Sequence, residues 1–152
     1  MDVTAQNIFL DVPVESKEAL FAFIADKASH LGITADAAEL ETALAAREKQ
    51  ISTGLQDGFA IPHAKSGCVN YPSMLYVKSK AALPWKTFDE SDVQYFMCLL
   101  IPAENSSNEH LRLLSNLAVC LMEADFRQKI KTAVEPEGLA RLLKEKMEVD
   151  VQ

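Results

Sequence analysis

Hydrophobic and polar positions change period three times along this chain. Ile8, Leu10, Val12 and Val14 alternate with other residues, which predicts a short strand weakened by Pro13. Leu20, Phe21, Ile24, Ala28 and Leu31 then recur at helical spacing. Ser16 is placed to cap that helix and Gly32 to end it. Thr34 opens a second expected helix through Leu40 and Leu44 to about Lys49. Phe59 to Ile61 is a short apolar strand stopped by Pro62, and Met74 and Tyr76 belong to a further strand reaching towards Ala81. Val93 to Ile101 is nearly continuous in apolar residues and predicts a fully buried central strand closed by Pro102. The chain then returns to helical spacing. Leu111, Leu114, Leu117, Ala118 and Leu121 form one helix, a short one follows near Asp125, and Pro136 starts a last one that runs to Met147.

Helices, then strands, then helices predict an α/β class with a mixed β-sheet between helical layers. The 152 residues suit a single domain, 1–152, and 49% hydrophobic content is enough for a sizeable core. The formal net charge of −7 argues against nucleic acid and anionic membranes as main partners. The three cysteines, Cys68, Cys98 and Cys120, are widely spaced and show no CxxC. Cys98 and Cys120 sit in apolar runs as expected buried thiols, and a reducing, cytoplasmic setting is expected. The N-terminal residues lack the basic region and apolar run of a signal peptide, and the apolar stretches are too short to span a bilayer.

Chemistry concentrates between Arg47 and Lys65. Pro62 has no N–H to extend a ladder and holds Ile61 extended, so His63 is expected to project from a stiff strand end. An imidazole held there is either a nucleophile or base near neutral pH or a structural turn residue. His110 falls in the first turn of the Leu111 helix, with Ser107 or Asn108 as cap. There the helix dipole disfavours imidazolium and favours a phosphate; the alternative is a solvated first-turn residue. Arg47 could brace an anion bidentately or pair with the negative end of its own helix. Ser52, Thr53 and Gly54 could surround an anion or simply form the turn. His30 reads as a surface residue near a helix end. Walker, dinucleotide-binding, zincin and nucleophile-elbow motifs are missing, and a His63/His110/Cys68 metal site would match no standard spacing.

Arg47-Glu48-Lys49, Ser52-Thr53-Gly54 and Ala60-Ile61-Pro62-His63-Ala64-Lys65-Ser66 resemble, in order and spacing, the IIA domain of the fructose/mannitol class (type 2) of the bacterial phosphoenolpyruvate-dependent sugar phosphotransferase system. Trp85, the turn at Asp89, Leu99-Leu100-Ile101-Pro102, His110-Leu111 and Phe126-Arg127 extend the resemblance from about Ile8 to Leu143. It implies a phosphocarrier with His63 as the phosphorylated histidine, His110 as the second active-site histidine and Arg47 stabilising the phosphohistidine. Ser52 and Thr53 would be loop residues near the phosphate. The donor would be a phosphorylated HPr-like carrier and the acceptor a cysteine of a IIB component. Contact with the membrane would come only through a IIC component, and no cofactor or metal is called for. Gln56 stands where the family usually has Gly, and Phe59 where it commonly has an aliphatic residue. Lys65 fits the sugar-transport subgroup better than the nitrogen-regulatory one. The alternatives are a regulatory, nitrogen-type module whose phosphorylation state controls a partner protein, and a non-catalytic ligand or metal binder on the same fold.

Overall fold

A computed structural model describes residues 3–104 and 109–151, with the backbone alone for 109, 110 and 148–151. Five strands form one sheet: β1 (Ile8–Val12), β2 (Phe59–Ala60), β3 (His63–Ser66), β4 (Ser73–Leu83) and β5 (Val93–Pro102). Five helices surround it: α1 (Lys17–His30), α2 (Ala37–Gln50), α3 (Glu109–Cys120), α4 (Ala124–Thr132) and α5 (Pro136–Val151). The order across the sheet is β1-β4-β5, with β2 and β3 sharing the far side of β5. β4 runs antiparallel to β5, while β1 on β4 and β2 and β3 on β5 are parallel. The single-domain α/β architecture with a mixed sheet is therefore the one the apolar periodicity predicts. β5 lies in the middle, and its near-continuous apolar run follows from burial on both faces.

Strand alternation sends side chains to two separate cores. Ala60, Ala64, Leu75, Val77, Phe96 and Cys98 pack against Leu20, Ile24, Leu40 and Leu44 of α1 and α2. Phe59, Ile61, Met74, Tyr76, Met97 and Leu99 pack against Leu117, Leu121, Ile130, Leu139 and Leu143 of α3, α4 and α5. All three cysteines are buried, and burial pushes the Cys98 thiol well above its ordinary range.

Three local expectations are corrected. Thr34 does not cap α2. The cap is Asp36, which accepts from the Glu39 N–H at 3.1 Å, while buried Thr34 donates its hydroxyl to the Cys68 carbonyl at 2.8 Å. β1 does not keep one face inward. Asp11 takes a left-handed φ of 52° and the register with β4 shifts between Phe9 and Val12. Ile8 therefore enters the core under α5 and Val12 the core under α1, a bulge that plain alternation cannot reveal. Finally, the strand does not stop at Pro62. The register of Phe59 on Tyr95 is the same as that of His63 on Leu99, so β2 and β3 are one edge strand interrupted by proline. Pro62 accepts from the Leu99 N–H at 3.0 Å, and on that same β5-facing side it has no N–H to give, so the ladder breaks there while the register continues.

Candidate functional site

Unbroken register determines where His63 points. Phe59 and Ile61 belong to the core beneath α3, and His63 continues the same alternation on that face. It is half-buried, and its Nδ1 lies 2.9 Å from the Ile61 carbonyl oxygen. A carbonyl can only accept, so Nδ1 carries the proton and the neutral ring has its lone pair on Nε2. This short bond to the residue two earlier also fixes the ring plane.

The backbone around His63 is a small antiparallel appendage to the sheet edge. Thr53 to Leu55 run back along Phe59 to Ile61, with the Leu55 N–H on the Phe59 carbonyl (2.9 Å) and the Ile61 N–H on the Thr53 carbonyl (3.1 Å). Asp57 and Gly58 close this hairpin with φ of 57° and 81°. An Asp-Gly pair is a strong sequence signal for such a turn, and here it relieves Gln56 of any need for glycine's freedom. Gln56 simply accepts from the Phe59 N–H at 3.1 Å.

Two carboxylates hold the hairpin from opposite sides. Asp57 accepts from Arg127 Nε at 2.9 Å and from Lys131 Nζ, both on α4. Partial burial pushes its carboxyl up, but hydrogen bonds from Lys131 and Arg127 outweigh it, so the net shift is downward. Asp89 receives the Ser91 hydroxyl (2.7 Å), the Asp57 N–H (2.9 Å) and the Ser91 N–H (3.1 Å), which hold it far below the ordinary carboxylate range.

On the α2 side the anchor is Glu48, 7% exposed. Its carboxylate accepts from the Thr53 N–H and the Thr53 hydroxyl, both at 2.7 Å, and from Trp85 Nε1 at 3.2 Å. A buried charge is tolerable because three donors meet it. Sequence reading quoted Glu48 without giving it a role. Its signal was position: Leu40, Leu44 and Glu48 are successive members of one inward stripe, and only the last is charged. Gly54 follows at the tightest point. A Cβ there would stand 2.3 Å from the Lys86 carbonyl, so only glycine lets the two backbones approach.

The five residues singled out from sequence are placed as follows. Arg47 Nη1 donates to the Ile51 carbonyl at 2.9 Å, so in this structure the guanidinium satisfies the C-terminal end of its own helix. Ser52 donates to the Lys86 carbonyl at 2.6 Å and accepts from the Gly54 N–H. Thr53 is buried and its hydroxyl is given to Glu48. Arg47, Ser52 and Thr53 are therefore joined to the His63 strand through the hairpin backbone. His110 is the second residue of α3, which packs on the face that His63 points to. Its side chain and the expected caps Ser107 and Asn108 lie outside the described residues. Among the described residues no group of His, Cys, Asp and Glu could hold a metal ion, and no helix is long and apolar enough to cross a membrane.

The site thus holds a half-buried histidine on the edge of a helix-sandwiched mixed sheet, and comparison with known proteins shows the family. Residues 3–146 match the family model described as phosphoenolpyruvate-dependent sugar phosphotransferase system, EIIA 2. The chain belongs to this type 2 IIA family of phosphoryl-transfer components. It is 30% identical to a PTS system fructose-specific EIIA component of Haloferax volcanii, covering 97% of this chain and 100% of that one. It is also 33% identical to a nitrogen regulatory protein of Pseudomonas aeruginosa, over 99% of this chain and 94% of the other. The crystal structure of nitrogen regulatory protein IIA-Ntr from Neisseria meningitidis superposes with a TM-score of 0.84 at 30% identity, covering 91% of this chain and 94% of that chain.

Proposed function

We propose that this protein is a phosphocarrier of sugar uptake: His63 accepts a phosphoryl group from a phosphorylated HPr-like carrier and passes it to a cysteine of a IIB component. The observation that carries the reading is the 2.9 Å contact between His63 Nδ1 and the Ile61 carbonyl. It leaves Nε2 as the nucleophilic nitrogen without any proton to remove first. Attack by Nε2 forms the new N–P bond as the donor's P–N bond breaks, and the bonding pair stays on the donor nitrogen. The thiolate of the IIB cysteine then forms an S–P bond as the Nε2–P bond breaks, restoring neutral His63.

The loose transition state of phosphoryl transfer spreads charge over the equatorial oxygens, so positive groups and N–H donors must be fixed near Nε2. Arg47 is the proposed cation, and to serve it would exchange the Ile51 carbonyl for phosphate oxygens. His110, with the N-terminal turn of α3, is the proposed second donor. Ser52 and Thr53 act by shaping the loop, since their hydroxyls already serve Lys86 and Glu48.

Intact-mass spectrometry after incubation with phosphoenolpyruvate, enzyme I and HPr tests this, with an alkaline quench because phosphohistidine is acid-labile. One phosphoryl group on wild type, absent from His63→Ala and slowed in His110→Ala, is the expected result. Wild-type charging of His63→Ala would end the proposal. The regulatory reading is favoured by the nitrogen regulatory relatives. It makes the opposite prediction at the second step: His63 is charged, but no IIB cysteine discharges it.

A further inference from the structure

On the side of the loop away from α3 lies an open cleft of about 470 Å³. Three lysines from three separate segments line it: Lys17 at the start of α1, Lys49 at the end of α2 and Lys86 after Trp85. Among the described residues none of these lysines takes part in an ion pair. Lys17 Nζ sits 4.3 Å from the centroid of the Trp85 ring, which fixes one of the three charges. The single carboxylate of the cleft is Glu48, already engaged by three donors. Lys17, Lys49 and Glu48 also line a smaller adjoining cavity, together with Glu18 and Glu41. In a chain of net charge −7, a cleft lined by three lysines and one engaged glutamate is a local excess of positive charge. Exposed Ile51 and Phe88 add an apolar rim, 71% and 79% accessible.

We infer that this cleft binds a small multivalent phosphate ester, a sugar bisphosphate in size and charge. Three cations suit two phosphate groups, and the apolar rim suits the carbon skeleton between them, as small-molecule sites combine a few polar anchors with apolar walls. The cleft shares Ser52 and Gly54 with the loop beside His63, but neither His63 nor Arg47 lines it, and His63 points to the opposite face of the sheet.

Trp85 is the chain's single tryptophan and touches Lys17, so its fluorescence reports the cleft directly. The test titrates the protein with fructose 1,6-bisphosphate, with inorganic phosphate and with uncharged fructose at low salt, and repeats the first titration by calorimetry. Saturable binding of the bisphosphate is expected, at least tenfold tighter than inorganic phosphate, weakened by added salt and undetectable for fructose. Lys49→Gln and Lys86→Gln, both at exposed positions remote from the core, should each weaken it about fivefold or more without shifting the unfolding midpoint. Four results would overturn the inference: no binding by either method, equal affinity for fructose, equal affinity for inorganic phosphate, or unaltered binding in the double variant. None of these readouts uses phosphoryl transfer, so the inference stands or falls apart from the proposed function.

Discussion

The two faces of the sheet divide the work differently. Beneath α1 and α2 the core includes a buried polar hub, Glu48 with Thr53 and Trp85, inside an aromatic cluster. Trp85 lies 6.1 Å from Phe21 and 5.2 Å from Phe96 by ring centroids. Beneath α3, α4 and α5 the core is aliphatic and aromatic, and its one polar outlier is the Tyr76 hydroxyl, which finds no hydrogen-bond partner among the described residues. Yet the candidate histidine, His63, points to the second face. The edge strand carrying His63 touches both: its even-numbered residues Ala60 and Ala64 seat on the polar-hub side, while Phe59 and Ile61 seat on the other. One face fixes the loop, and the other presents the proposed nucleophile. A side chain that performs chemistry needs a backbone held more firmly than its own exposed surroundings can hold it.

That comparison can be broken most completely at His63. His63→Ala should abolish phosphoryl acceptance while leaving the fold intact, since the ring is only half-buried and its described anchor is local. A mass shift on the variant under charging conditions would show the nucleophile lies elsewhere.

Glu48 should behave in the opposite way. Glu48→Ala strands three donors in a buried site and should cost about 3 kcal/mol of stability, read by urea unfolding. It should also slow, not abolish, charging of His63, because the 51–54 loop loses its tie to α2. Glu48→Gln, which keeps an acceptor, should recover part of both. Unchanged stability in Glu48→Ala would remove the hub from the account.

Asp57 tests the second anchor through pH. Its folded value lies below its unfolded value, so the stabilisation is present above the unfolded value of about 3.9 and is lost as pH falls through the folded one. The carboxylate is 43% exposed, and solvent screening limits the worth of its two ion pairs to about 1 kcal/mol. Asp57→Asn should therefore be less stable than wild type by about that amount at pH 7, and the gap should close below about pH 4. A gap that persists into acid would assign the effect to the turn geometry instead.

An effect of similar size, with the opposite sign, is expected at Tyr76. Desolvation pushes its phenol far above the ordinary range, with nearby Tyr95 adding to it, so the group stays neutral and buried. Removing a hydroxyl that makes no hydrogen bond should gain about 1 kcal/mol in Tyr76→Phe. A loss on denaturation would reveal a partner for that oxygen.

Much of this was legible in the residue order. The central strand, the helix following Ser16 and the class of fold follow from hydrophobic periodicity, because a face that must be buried writes its period into the chain. His63 was also legible, since Pro62 and the family pattern mark it. The turn at Asp57-Gly58 had a readable signal that went unused. The bulge at Asp11 and the displacement of the α2 cap from Thr34 to Asp36 carried no comparable signal, because each is decided by which partner the backbone meets in space.

By itself, then, the sequence determined the elements, the family and the identity of the candidate nucleophile, all of which depend on local pattern and motif. Tertiary structure alone decided that Pro62 interrupts an edge strand without ending it, that His63 shares a face with α3, and that its ring is fixed through Nδ1. It alone showed that Thr53 and Glu48 hold each other and that Lys17, Lys49 and Lys86 line one cleft. The reason is physical: register, tautomer and charge clustering depend on distances between residues far apart in the chain, and periodicity records only which side of an element is buried.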